Sequence, residues 1–370
     1  MQKLLYITDQ DEYVDHSFIA PLFEIYLKKH MSVDILYFTD FKSDFACKDE
    51  HHFIVPTRYK NGLIKELRHN DIDLHSYDFV MVRNNIELLK HVLKYRDKYH
   101  YKVLYRFSFP KRKVQIKCNE AEGKNQFLKR CMHTIQTKKE TKIINSCDAF
   151  LPTSKEMYQN YRPEVTIPTI ICSPAINPEA LHKHQQHDDD EIRFVYVGTL
   201  DKLREFNTIL DAFSTVSNKQ WKLYISTRDV EFANTLVNNY PNLQKNIKIY
   251  NAKTKDALLE LIAKTDIGIS LLPDLPVYNT STPVKTFDYY SSGVPCLMTL
   301  STHTSTIFTD GLDAWFSDFT VQSIAEKLTY LLTLSKEDIA DIGQKGQNRL
   351  LEVKNYETIA KNIANQLKAL

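Results

Sequence analysis

A chain of 370 residues is about twice the length of an ordinary domain, so two domains are expected. With 43% hydrophobic and 25% charged residues it has the composition of a folded globular protein, which excludes collagen-like, disordered and low-complexity classes. Its 48 Lys and Arg nearly cancel its 46 Asp and Glu, so the chain as a whole offers no field for a polyanion.

Residues 1–9, Met-Gln-Lys-Leu-Leu-Tyr-Ile-Thr-Asp, turn acidic too soon for a signal peptide and read as a first strand over 3–8. An amphipathic helix over 18–29 and a strand over 33–38 follow. Strands over 77–83 and 101–109 flank a helical pattern over 86–95, and 124–144 is helical again. A strand at 149–151 closes this half, with Thr153-Ser154 capping the helix beyond. Between 173 and 191, two prolines, three histidines, two glutamines and an acidic run show no periodicity, so this stretch reads as a linker. The alternation then restarts. Strands are expected over 192–197, 222–226, 247–250, 267–272 and 295–299, and helices over 207–216, 230–239, 256–264 and from Pro283. From Val321 onward the pattern is helical.

Strands alternating with helices mean βαβ units and mostly parallel sheets. The expected class is α/β: two doubly wound Rossmann-like domains, 1–172 and 192–354, facing a cleft, with a helix over 355–370 packing back on the first. In such sheets ligands bind beyond the carboxyl ends of the strands. No apolar run approaches the ~18 residues needed to span a bilayer. Six scattered cysteines without a C-x-x-C pair suit idle thiols in a reducing cytosol and disfavour a cysteine metal site. Only eight glycines argue against a Gly-rich phosphate loop of the usual kind.

The most informative segment runs from Asn279 to Pro295 and contains Thr280-Ser281-Thr282-Pro283-Val284-Lys285-Thr286-Phe287-Asp288-Tyr289-Tyr290. Thr282 is a good N-cap and Pro283 a good first helical residue, so a helix should start here at the end of a strand. Such a helix start is an anion site, to which Lys285 adds a positive charge in the first turn. Asp288, one turn on, could accept hydrogen bonds from sugar hydroxyls. Taken alone, the segment also reads as a capped surface helix with a solvent-facing Lys–Asp pair. A second segment, Phe194 to Phe206, ends a strand at Gly198 and places Arg204 near the next helix, able to fork onto a phosphate. An ordinary loop with a surface arginine is the alternative.

In order and spacing the two segments together resemble the donor half of GT-B glycosyltransferases, specifically the retaining glycosyltransferase family 4. The resemblance covers the second half, including Asp266-Ile-Gly-Ile-Ser-Leu-Leu-Pro273, the P-x-K-x-F-D-Y-Y-x-x-G-x-P segment and a late Asp310-Gly311. It implies that Arg204 and Lys285 form the catalytic pair that holds the donor diphosphate. Asp288 would bind the nucleotide ribose in place of the family's second glutamate, and Tyr250 and Asn251 would lie against the base. Gly198, Thr199, Thr280, Ser281 and Thr282 complete the implied donor set. Thr280 stands where the family often has the first glutamate of E-x7-E, and Thr199 where an arginine usually follows the strand-end glycine. Both departures read as a subtype.

The first half is similar to the family only in outline, with Thr8-Asp9-Gln10-Asp11-Glu12 in place of its Gly-Gly turn. Asp9, Asp15 and His16 on this loop are candidate acceptor contacts, as are Arg106 and Ser108 at a later strand end. A lone histidine at a helix start is also a common capping or packing residue. From Lys94 to Lys142 there are 15 Lys or Arg against four acids, an excess of eleven in a chain whose total is +2. Phe127, Leu128, Cys131, Met132 and Ile135 cluster on one side of the helix there. A basic face with an apolar stripe suits an anionic membrane surface, and a charged face over a core-packed stripe is the competing reading. Nucleic acid is disfavoured, because aromatic interleaving is thin. Asp188-Asp189-Asp190 beside His182, His184 and His187 mimics a metal motif, but it sits in the linker and reads as an unstructured acidic run.

The function expected from this resemblance is transfer of a sugar from a nucleotide-diphosphate sugar, UDP-sugar favoured, to a hydroxyl of a bacterial surface glycan or lipid-linked acceptor. Retention, no cofactor, no metal and a cytoplasmic, peripheral-membrane location go with it. Two rivals stay open: a nucleotide-sugar 2-epimerase of the same fold, and a non-catalytic membrane-associated partner of another transferase.

Overall fold

The computed structural model describes residues 1–8, 20–40, 44–218 and 220–370. Asp9, Asp15 and His16, expected to contact an acceptor, lie outside the described residues. The chain divides into two compact units. The first comprises Met1–Ile116, Asn125–Ser173 and Glu357–Leu370, and the second Lys117–Lys124 and Pro174–Tyr356.

The first unit is built on seven strands: β1 (Lys3–Ile7), β2 (Ser32–Thr39), β3 (Ala46–Asp49), β4 (His52–Pro56), β5 (Phe79–Arg83), β6 (Lys102–Phe107) and β7 (Ala149–Pro152). Their order is β3-β4-β2-β1-β5-β6-β7. All neighbours are parallel except β3 and β4. Apolar runs such as Leu4–Ile7 are buried throughout, as parallel strands covered on both faces require. Helix Ile86–Tyr99 is capped by Asn85, whose side chain accepts the Leu88 N–H at 3.0 Å. Ser154 caps Lys155–Tyr161 in the same way, accepting from Met157 at 2.8 Å. The sequence pattern missed β3, β4 and the short helix Leu63–His69, which are too brief to show a period. Within 18–29, residues Ala20–Tyr26 form a π-helical segment followed by the 3-10 turn Leu27–Lys29. Helix Tyr356–Lys368 buries Ala360, Ile363, Ala364 and Leu367, most of it within this unit.

The second unit has an all-parallel sheet of β8 (Ile192–Val197), β9 (Trp221–Ser226), β10 (Ile247–Tyr250), β11 (Ile267–Ser270), β12 (Cys296–Thr299) and β13 (Trp315–Ser317). The order β10-β9-β8-β11-β12-β13 reverses direction between β8 and β11, the switch point where such sheets bind ligands. Helix Val284–Ser291 follows β11, and its Tyr289 locks this point. A Cβ on Gly268 would lie 2.4 Å from the Tyr289 ring, so only glycine lets the ring settle on the sheet. The Tyr289 hydroxyl accepts the Val197 N–H at 2.9 Å and donates to the Ile269 carbonyl at 3.2 Å, tying β8 to β11. From the other side comes helix Lys336–Val353. A Cβ on Gly343 would lie 2.1 Å from the Gly293 carbonyl oxygen, and one on Gly346 would lie 2.2 Å from the Tyr290 ring.

The stretch expected to be a loose linker is instead fastened to the second unit. His182 N–H donates to Ser291 O at 2.8 Å, and Gln185 N–H donates to Ala263 O at 2.8 Å. His187 bridges Asp189 at 2.9 Å and the buried Asp266 at 3.0 Å, and Lys336 also reaches this group. Aperiodic composition hid this because the anchors are single polar contacts. Among the described residues, no helix is long and apolar enough to cross a membrane.

The glycine contacts generate a test. Gly346→Ala is expected to lower the melting temperature of the protein, since overpacking a tight contact costs about 1–3 kcal/mol. Gly62→Ala, with nothing within 4 Å of the new Cβ, serves as the control and should leave the melt unchanged or slightly raised.

Candidate functional site

At the carboxyl end of β8 the chain turns through Gly198, at φ +132°, which favours glycine. Its N–H donates to Ser226 O at 3.0 Å. Asp201 then caps the 3-10 turn Lys202–Arg204, and its carboxylate pairs with Arg204 Nε at 3.1 Å. Thr199 Oγ1 also reaches Asp201, at 3.2 Å. The guanidinium lies 5.8 Å from the centre of the Tyr278 ring, and it passes 3.7 Å from where a Cβ on Gly198 would stand. The next residue, Glu205, holds φ +47°, a strained conformation for a side-chain-bearing residue.

Helix Val284–Ser291 supplies the second cation. Its cap is Pro283, with no side-chain cap hydrogen bond, so the expectation of a Thr282 cap with Pro283 at the first helical position is corrected by one residue. Pro283 has an extended ψ of 141°, which leaves Val284 to begin the helix. Thr282 is buried, with its hydroxyl unpartnered among the described residues. Thr280 is buried beside it, and Ser281 is half-buried.

Lys285 is only 7% exposed, and its Nζ has no hydrogen-bond partner among the described residues. The ammonium sits 4.0 Å from the centre of the Tyr196 ring. Burial, and then the positive charge of Arg204, hold its pKa well below the ordinary lysine range. The alternative of a solvent-facing Lys–Asp pair is therefore overturned. Asp288 is also buried and pairs with Lys255, at the start of helix Lys255–Ala263. Tyr250 ends β10 half-buried, stacked on Tyr224 with ring centres 5.7 Å apart, and Asn251 beyond it is exposed.

The structure thus gathers Gly198, Thr199, Arg204, Thr282 and Lys285 around the β8–β11 switch point. It commits Asp288 to an ion pair, and it leaves Tyr250 and Asn251 two strands away at the end of β10. Sequence reasoning missed Tyr196, Tyr278, Asp201 and Lys255. Tyr289 stood in the quoted motif, but only the contact with Gly268 shows its role.

In the first unit the expectation for Arg106 is corrected. Its side chain is 1% exposed, donates to Cys172 O at 3.2 Å, contacts Cys172 Sγ and lies over the Phe23 ring. It points into the core because β6 alternates faces, and a strand-end reading could not tell which face. Ser108 is half-buried and accepts from Arg83 Nε at 2.9 Å and Asn84 Nδ2 at 2.8 Å. Arg83 also reaches Thr8 Oγ1 at 3.5 Å. This polar group lies at the carboxyl ends of β1, β5 and β6, the switch point of the first sheet.

Residues 204–365 match a family described as glycosyl transferase-like. No curated protein matches the chain. Among solved structures, a sucrose-phosphate synthase from Thermosynechococcus elongatus superposes with TM-score 0.75 at 13% identity, over 100% of this chain and 99% of that one. HepE from Anabaena, in complex with UDP and glucose, gives TM-score 0.69 at 12% identity over 100% of both chains. An α,α-trehalose-phosphate synthase (UDP-forming) from Burkholderia vietnamiensis gives 0.67 at 9% identity, over 100% of this chain and 99% of that one.

The buried amine yields a thermodynamic expectation. Lys285 carries a penalty that is full below its lowered pKa and is relieved as pH rises toward the ordinary lysine value, because there the unfolded chain binds a proton that the folded chain does not. Lys285→Met should therefore melt higher than the parent, with the gap narrowing as pH rises, as followed by thermal denaturation across a pH series. Taken together, the chain has the α/β GT-B fold, and its residues 204–365 match a family described as glycosyl transferase-like.

Proposed function

We propose that this protein is a retaining glycosyltransferase that resembles family 4, taking its sugar from a UDP-sugar. The observation that carries the reading is Lys285, a buried cation without a hydrogen-bond partner among the described residues, beside Arg204 at the switch point. An unpartnered buried charge is costly, and a diphosphate would supply the missing counter-charge. The named relatives support the choice of donor, since one holds UDP with glucose and another is UDP-forming.

Chemistry would follow from positioning. Arg204, Lys285 and the first amides of helix Val284–Ser291 would stabilise the negative charge that builds on the leaving diphosphate as the glycosidic bond breaks. Thr199, Thr280, Ser281 and Thr282 would line the donor, and Asp288 could turn from Lys255 toward the ribose. With protein cations on the diphosphate, no metal or other cofactor is needed. The acceptor is a hydroxyl of a bacterial surface glycan or its lipid-linked precursor.

Work at an anionic membrane surface is supported by helix Phe127–Ile144. Phe127 and Leu128 are 68% and 75% exposed, Met132 67% and Ile135 59%, so the stripe is not packed into the core. It lies within the basic segment 94–142, where each well-placed cation adds about 1 kcal/mol of attraction to an anionic surface.

The first experiment is a thermal-shift panel of UDP, GDP, ADP, CMP and their sugars. UDP at about 100 times its dissociation constant should add about 2.7 kcal/mol of stability, and silence with every nucleotide would move the non-catalytic reading to the front. Arg204→Ala and Lys285→Ala should each cut turnover at least ~100-fold with the fold intact. Activity should survive EDTA, and its abolition would count against a metal-free scheme. Conversion of the sugar nucleotide without any acceptor would instead identify an epimerase.

A further inference from the structure

A cavity of about 920 Å³ in the first unit borders the polar group formed by Thr8, Arg83 and Ser108, since Asn84, whose side chain donates to Ser108, is part of its lining. It opens between the start of helix Ile86–Tyr99, helix Lys111–Ala121, the middle of helix Phe127–Ile144 and the segment after helix Lys155–Tyr161. Six Lys and Arg side chains line it against three carboxylates.

Two of those carboxylates are already engaged. Glu87 pairs with Lys90, which is outside the lining, at 2.8 Å. Glu140, itself buried, accepts Arg112 Nη1 at 2.8 Å and Arg162 Nη2 at 2.6 Å. One carboxylate between two guanidinium groups leaves a positive remainder, to which the lining lysines add. Arg162 is 6% exposed and retains a buried Nε with no partner among the described residues, and buried His133 Nδ1 is in the same condition. Rings also face two of the cations: Arg162 lies 5.3 Å from the Phe107 ring centre and Lys113 lies 4.7 Å from that of Tyr161.

We infer that this cavity binds a phosphate ester, with Lys111, Arg112, Lys113 and Arg162 around the phosphate and the aromatic wall against its organic body. Guanidinium pairs with added lysines are the chemistry that recognises a multiply charged oxyanion. A bare phosphate would fill little of the space, and cavities of this size suit a ligand with a ring or chain attached. A soluble sugar and a lipid can each carry such an ester, and both present the same group. Naming this ligand as the acceptor rests on the glycosyltransferase reading, whereas the binding does not.

The test is calorimetric titration of the full chain with glucose 6-phosphate and with glucose, beside flotation with vesicles containing phosphatidic acid or phosphatidylcholine alone. Lys111 and Lys113 are both exposed, so the double variant Lys111→Ala/Lys113→Ala should fold. It is expected to lose binding at least ~10-fold while its thermal shift with UDP is unchanged. Saturable glucose 6-phosphate binding that the variant loses supports a soluble ester. Flotation with phosphatidic acid that the variant loses, with no response to glucose 6-phosphate, supports a lipid-borne one. Equal binding of glucose, or binding that the variant keeps, overturns the inference. A parent protein that shifts with UDP but binds neither ester overturns it as well and leaves the donor reading standing. Failure with UDP and esters alike removes both.

Discussion

The contact of Tyr289 with Gly268 is the constraint on which the second unit's site depends. A ring lying flat on a strand needs a position with no Cβ, and its hydroxyl then bridges β8 and β11 where the sheet order reverses. That contact fixes the depth of helix Val284–Ser291. Lys285, one turn earlier on the same helix, is carried below the surface beside Tyr196. Helix Lys336–Val353 presses from the opposite side through two more glycines, and Gln347 Nε2 donates to Tyr290 O at 2.8 Å. The lysine therefore cannot withdraw to water without unpacking the layer that holds it.

Charge around the switch point is distributed unevenly. Arg204 has Asp201, Asp288 has Lys255, and Lys285 has an aromatic face but no acid. An aromatic face steadies a cation without neutralising it, so the local potential stays positive. Lys285 gives up its proton more readily than an ordinary lysine, so an anionic ligand arriving beside it would favour its charged form. The strained backbone at Glu205, next to Arg204, fits the same picture of a site held in a costly arrangement by its surroundings.

Much of this was legible in the sequence, and the parts that were not have physical reasons. All six strands of the second sheet except β13 follow from apolar runs between helical patterns, and β13 is only three residues long. Gly198, Arg204 and Lys285 could be singled out because strand-end glycine and helix-start cation are local signals. Arg106 could not be placed, because alternation along β6 gives two equal choices of face and only the packing of Phe23 and Cys172 decides between them. Tyr196 and Lys255 act across 89 and 33 residues of chain, on Lys285 and Asp288, and no spacing rule reaches that far. The 173–191 stretch misled for a related reason: His182, His184 and His187 make contacts with distant parts of the chain, which leave no pattern in composition.

The divided composition of the first unit has a consequence for biosynthesis. Its sheet is complete by Pro152, yet helix Tyr356–Lys368 emerges from the ribosome only after the whole of the second unit. The second unit, nearly continuous from Pro174 to Tyr356, can close as soon as it clears the exit tunnel. The earlier unit must wait with the surface that will receive Ala360, Ile363 and Leu367 still open to solvent. Order of synthesis and order of completion are thus reversed, and the nascent first unit is the stage at which a chaperone would find exposed apolar surface.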